Sequence, residues 1–138
     1  MPIITACLDS NVIFSGIAFR GNPFQVLERA LAREFNLILG PSIIEEVERN
    51  LVAKIGIKKK VVDVFLGNLV QVASMYVPAQ APEVTPNKGD NLVLEICLMG
   101  QCDVLVTGDK KHLLPLSPYK GLQIEPPSKF LIRLDQQR

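Results

Sequence analysis

This 138-residue sequence predicts an α/β fold, a sandwich of helices around a mainly parallel sheet, and three observations predict it. Short apolar runs of strand length recur along the chain, amphipathic helical segments separate most of them, and the first run is apolar throughout rather than alternating. Continuous apolar character marks a strand buried on both faces, as in a parallel sheet whose two sides are covered by helices. Such strands connect through right-handed crossovers.

Taken in order, "IITACL" (Ile3 to Leu8) is the first strand, and "SNVIFSGIA" after it can form a short helix capped by Asp9. "NPFQVLERALAREF" sets Phe24, Leu27, Ala30 and Leu31 on one stripe, with Asn22 as N-cap and Pro23 at the first helical position. "NLILG" (Asn36 to Gly40) is a second strand, and "PSIIEEVERNLVAK" a helix capped at Ser42. "KKKVVDVFLGNLVQVAS" carries Val61, Val62, Phe65, Leu69 and Val72 at helical spacing and leads into a strand at "SMYVP" (Ser74 to Pro78). The proline-rich, polar stretch Val77 to Asp90 reads as a long loop, of a length often given to function. Asp90 then caps "NLVLEICLM", which Gly100 closes. Strands at "DVLVTG" (Asp103 to Gly108) and "GLQIEP" (Gly121 to Pro126) follow, and "PSKFLIRLDQQ" is a last helix with Pro127 near its start.

The length suits one domain, residues 1–138, and 48% hydrophobic with 21% charged residues is the balance of a folded globule. A net charge of +1 excludes a broadly polycationic surface, so nucleic-acid binding would need local basic clusters. Cys7, Cys97 and Cys102 are odd in number and lack CxxC spacing, which fits buried thiols in a reducing compartment better than a disulfide frame or a zinc site. No apolar run approaches the ~20 residues that span a bilayer, and no leader pattern is present, so a soluble cytoplasmic protein is expected.

The chemistry lies in the acids. Asp9 and Asp109 share one arrangement: an apolar strand runs directly into an aspartate at its carboxyl end. In an open parallel α/β sheet that is where ligands bind, above all where the strand order reverses. Asp9 could instead cap a helix, Asp109 serve a turn, and Asp90 cap the helix it precedes; a cap can also face a ligand. On a helical wheel the apolar face of "PSIIEEVERNL" centres on Ile43, Ile44, Val47 and Leu51, with Glu46 and Glu48 on its flanks and Glu45 farthest out. The wheel does not choose between Glu46 and Glu48.

Converging carboxylates raise one another's pKa and destabilise a fold unless a cation neutralises them. All-oxygen ligands favour Mg²⁺ or Mn²⁺ over zinc, and such sites suit phosphoryl transfer or phosphodiester hydrolysis. His112, the lone histidine, is expected to be a loop or packing residue, leaving water activated by the metal as the nucleophile. Lys110 and Lys111 beside Asp109 could contact RNA phosphates, whereas Lys58, Lys59 and Lys60 read as a solvated face. Of the few aromatics, Phe14, Phe19 and Tyr119 are those that could lie near a groove.

"CLDSNVIFSG", "PSIIEEVERNL", "KGDNLVLEICLMGQCDVLVTGDKKHLL" and "LQIEPPSKFL", in this order and spacing, resemble the PIN domain, in the branch of toxins from prokaryotic toxin-antitoxin pairs. The resemblance runs from Ile3 to about Leu131, with "LDSNV" and "LVTGDK" as its most specific parts. It implies a three-layer α/β/α sandwich and a Mg²⁺- or Mn²⁺-dependent endoribonuclease acting on RNA, single-stranded by expectation, with an antitoxin partner and a homodimer. It places the family's acids on Asp9, Glu46, Asp90 and Asp109, with Asn11 and Thr107 as supporting polar residues and Asp103 as a structural acid. The branch usually carries an Asp-Pro-Asp-Asp stretch before the central helix, where this chain has "PNKGDN" and keeps only Asp90.

Rival readings fit less well. A haloacid-dehalogenase-like phosphatase needs a second aspartate two residues after Asp9, where Asn11 stands. A phospho-receiver needs an acid on a middle strand, and "NLILGPS" has none. A PIN fold that only binds partners would lack acids, and here all four are present.

Overall fold

A computed structural model describes residues 3–137. Five strands form one sheet: β1 (Thr5–Leu8), β2 (Asn36–Leu39), β3 (Ala73–Met75), β4 (Val104–Val106) and β5 (Gln123–Glu125). All pair in parallel, in the order β3-β2-β1-β4-β5. Ala6, Cys7 and Leu8 are fully buried, as expected of a central strand covered on both faces.

Six α-helices flank the sheet: α1 (Ser10–Ala18), α2 (Gly21–Leu31), α3 (Pro41–Asn50), α4 (Lys59–Val72), α5 (Lys88–Met99) and α6 (Pro127–Gln136). The predicted α/β sandwich with a parallel sheet is therefore the observed one. From β1 the chain winds outward through β2 to β3, then α5 carries it back across to β4 on the other side of β1. The order thus reverses between β1 and β4, and a crevice opens there at the carboxyl ends of the strands.

Several element boundaries differ from the sequence reading. α2 begins at Gly21, behind Arg20 in a left-handed conformation (φ 67°, ψ −132°), so Asn22 is no cap. α3 begins at Pro41 after an extended Gly40, and Ser42 lies inside it. Glycine is required at position 40 because a β-carbon there would lie 2.5 Å from Ile96 Cδ1 and 2.8 Å from the Tyr76 carbonyl. A single π-helical turn (Leu51–Ile55), unforeseen in the sequence, extends α3 and ends at Gly56 with φ 76°. β3 starts at Ala73, directly after α4, and stops before Val77.

The central correction concerns α5. Asn87 is its cap, accepting the Asp90 N–H at 3.0 Å, so Asp90 sits in the first turn rather than before it. Asn91 secures the end of the preceding loop by accepting the Thr85 N–H at 2.9 Å and donating to the Thr85 carbonyl at 3.0 Å. With its amide satisfied by Asn87, Asp90 leaves its carboxylate free to face elsewhere.

Candidate active site

β1 ends by donating the Asp9 N–H to the Val106 carbonyl at 2.9 Å, so Asp9 and the segment leaving β4 are neighbours through the sheet ladder itself. Asp9 is 4% exposed. Its Oδ1 accepts the Ser10 N–H at 2.8 Å, which starts α1, and its Oδ2 accepts Thr107 Oγ1 at 2.8 Å and Asn11 Nδ2 at 3.2 Å. Asp9 therefore caps α1 and at the same time joins the end of β1 to Thr107 beyond β4.

Thr107, fully buried, also accepts the Asp109 N–H at 3.0 Å, while Asn11 Oδ1 accepts the Gly108 N–H at 3.0 Å. Asn11 and Thr107 thus tie the end of β1 to the turn after β4. Asp109 Oδ1 accepts the backbone N–H groups of Lys111 and His112, both at 3.0 Å, which folds the chain back and brings the imidazole toward the acids. His112 Nδ1 lies 3.8 Å from Asp109 Oδ2 and 3.9 Å from Asp90 Oδ2. Ligand atoms of Asp90, Asp109 and His112 all fall within 4.8 Å of one another. His112 lies in the turn after β4, as expected of a loop residue, and that turn also makes it a neighbour of two acids.

The acids feel one another. Burial pushes the Asp9 carboxyl up, its hydrogen bonds from Thr107 and Ser10 pull it down, and the charges of Glu46 and Asp109 push it up again. Asp90 is pushed up to about 7, first by burial, then by the charges of Asp9 and Asp109, a hydrogen bond shared with Asp109, and the charge of Glu46. The geometry also separates the two glutamates that the wheel left open: Glu46 acts on Asp9 and Asp90, whereas Glu48 pairs with Lys59 at 3.3 Å.

Asp103 stands apart, at the opposite end of β4, where its Oδ2 accepts the Thr5 N–H at 2.9 Å and aligns the start of β1. Lys110 and Lys111 are exposed beside Asp109 and form no ion pair among the described residues. Cys7 and Cys97 are buried and Cys102 is partly so, all as free thiols. Hydrogen bonds with Cys102 and Cys7, and then burial, raise the Cys97 thiol well above its ordinary value.

Asp90, Asp109 and His112 form a group of ligand atoms that a divalent cation could occupy, with the buried Asp9 beside them and the charge of Glu46 felt by both Asp9 and Asp90. Among the described residues no helix is long and apolar enough to cross a membrane. Comparison with curated proteins gives no significant match. The sequence model of the PIN domain matches residues 5–111, a span that contains β1 to β4 and each of these acids. The chain belongs to the PIN domain family, whose members are generally metal-dependent nucleases.

Proposed function

We propose that the protein is a Mg²⁺- or Mn²⁺-dependent endoribonuclease in which Asp9, Glu46, Asp90 and Asp109 hold the metal and His112 stands within reach of it. The observation that carries this is the convergence of Asp90, Asp109 and His112, whose ligand atoms lie within 4.8 Å of one another, beside the buried Asp9 where β1 and β4 end. Acids that repel one another at neutral pH are retained where a cation belongs. A bound divalent ion would supply charge neutralisation at the attacked phosphate and lower the pKa of water.

The chain's own residues do the rest. Thr107 and Asn11 hold the Asp9 carboxylate in one orientation, and the Lys111 and His112 amides hold that of Asp109. Asp90, its carboxyl pushed up to about 7 by burial and the neighbouring acids, would release the proton it shares near neutrality if a cation were held there. Lys110 and Lys111 steer the anionic backbone toward the acids. The reading includes a single domain over residues 1–138, a cytoplasmic location, a toxin role with a cognate antitoxin, and a homodimer. Family membership and the exposed Val61 and Val64 on α4 support a partner surface.

The test is cleavage of end-labelled single-stranded RNA with Mn²⁺ or Mg²⁺, with chelator, and by Asp9→Asn. Cleavage abolished by chelator and by Asp9→Asn is expected. Full activity of Asp9→Asn would overturn the assignment, and absence of both cleavage and metal binding in the wild type would favour a partner-binding PIN fold.

A further inference from the structure

The three cysteines are scattered in sequence, and the fold brings them into contact. The end of α5 decides how two of them meet. Gly100 packs so close to β2 that a β-carbon there would lie 2.7 Å from Ile38 Cγ2, and its φ stays at −81°. The left-handed residue that turns the chain is therefore Gln101, with φ 53°. The Gln101 N–H donates to the Leu98 carbonyl at 3.2 Å, and the Cys102 N–H reaches back to the Cys97 carbonyl at 2.9 Å. In a helix ending with this pair of bonds, the residue after the left-handed one packs its side chain on the residue five before it. Here both are cysteine.

That turn also meets the needs of a covalent bond. A hydrogen bond of 2.9 Å, with standard bond lengths on either side, holds the α-carbons of Cys97 and Cys102 no more than about 6.8 Å apart, within the span a disulfide bridges. The two thiols already hydrogen-bond to each other. Their access to solvent differs: Cys97 is 1% exposed, whereas Cys102 is half-buried between the exposed Gln101 and Asp103. A solvent-borne oxidant meets Cys102 first and a second sulfur directly behind it. Hydrogen bonds with Cys102 and Cys7, and then burial, keep Cys97 protonated, so it is not the sulfur that attacks first. Cys7, fully buried on β1, hydrogen-bonds with Cys97 from the inner side.

We propose that Cys102 and Cys97 form a reversible oxidation site for hydrogen peroxide, in which Cys102 reacts first and Cys97 resolves the product into a disulfide. The Cys102 sulfur attacks one peroxide oxygen: an S–O bond forms, the O–O bond breaks, and the thiol proton leaves with the departing oxygen as water. The Cys97 sulfur then attacks the Cys102 sulfur: an S–S bond forms, the S–O bond breaks, and the Cys97 proton leaves with the hydroxyl as a second water. Two thiols lose two electrons and one peroxide is reduced to two waters. A dithiol reductant reverses the bridge. Closing it keeps Cys102 from passing on to the irreversible sulfinic state, whose charge would sit against the packed end of α5. The site is independent of the nuclease reading.

The test exposes the full chain, in chelator, to a small excess of hydrogen peroxide, then denatures it and measures free thiols and mass. Two of the three thiols should disappear, the mass should fall by two hydrogen atoms, and dithiothreitol should restore all three. Peptide mapping should join Cys97 to Cys102, with no covalent dimer on a non-reducing gel. Cys102→Ala, at the half-exposed position, should keep both remaining thiols at the same dose, whereas Cys7→Ala should still form the bridge. Oxygen gained at Cys102 of the wild type while Cys97 stays reduced would overturn the pair, and so would a bridge from Cys7 or between two chains. Three intact thiols at a dose that fully oxidises a cysteine-containing peptide would overturn it as well.

Discussion

Thr107 shows how much one hydroxyl can carry. It donates to Asp9, and it accepts from Asn11 and from the Asp109 amide, all while fully buried. Thr107→Val keeps the shape but leaves a buried carboxylate and an amide short of partners, so urea unfolding should show a loss of about 1–3 kcal/mol. Asp90 sets a pH dependence. Its folded pKa of about 7 exceeds its unfolded value of 3.8, so the native state binds more protons between those limits, and metal-free stability should fall as pH rises through that window. Mn²⁺ should reverse the trend, raising Tm more at pH 8 than at pH 5, as thermal melts can check. His112→Ala should reduce the Tm gain from Mn²⁺ more than that from Mg²⁺, because imidazole nitrogen suits the softer ion. Asp9 and Asp109 were legible because an acid ending a buried apolar run is chemically conspicuous. The helical wheel alone did not separate Glu46 from Glu48, and only the family resemblance chose Glu46; in the fold Glu48 pairs instead with Lys59 on another helix. The nearness of His112 to the acids was not readable, because Asp90 is distant in sequence and the turn that aims the imidazole is set by Asp109 accepting two amides.

Elements were easier to find than to bound. α5 was identified by its apolar periodicity, but both Asn87 and Asp90 are good caps, and only the fold shows which one accepts the N-terminal amide. The shift of three residues changes Asp90 from a cap that could face a ligand into a helix side chain that does face the other acids. The π-turn after α3 and the start of α2 behind Arg20 left no sequence signal, since both arise from packing rather than propensity. α6 is anchored to the sheet by an ion pair the sequence did not announce. Arg133 binds Glu125 of β5 through its Nε, 3.1 Å from each carboxylate oxygen, and through Nη2, while Glu125 is 1% exposed. Removing the cation strands a buried carboxylate, so Arg133→Ala should cost about 3 kcal/mol in chemical denaturation, whereas Arg29→Ala, whose partners Glu34 and Asp135 are more exposed, should cost less than about 1 kcal/mol.

At the scale of the whole molecule, strand and helix alternation was enough to predict the parallel sandwich, because doubly covered strands leave an unmistakable apolar signature in "IITACL" and "VLV". The order of the strands was not readable, and with it the fact that the strands bearing Asp9 and Asp109 are adjacent. Net charge makes a further prediction at this scale. A chain of +1 that contacts RNA through Lys110 and Lys111 should show a salt slope of about −1.4 in log K against log [salt], since each single-strand phosphate contact contributes about −0.7. A much steeper slope would mean a broader basic surface than the structure presents.

The ladder bond from Asp9 to Val106 has one more consequence. Asp9 leaves the very end of β1 and is anchored by the sheet itself, whereas Asp109 lies three residues beyond Val106 in a turn held to it through the Asn11 and Thr107 side chains. On heating, the turn that carries Asp109 and His112 can open before the strand end that carries Asp9, so loss of cation affinity should begin at or below the temperature at which the sheet melts.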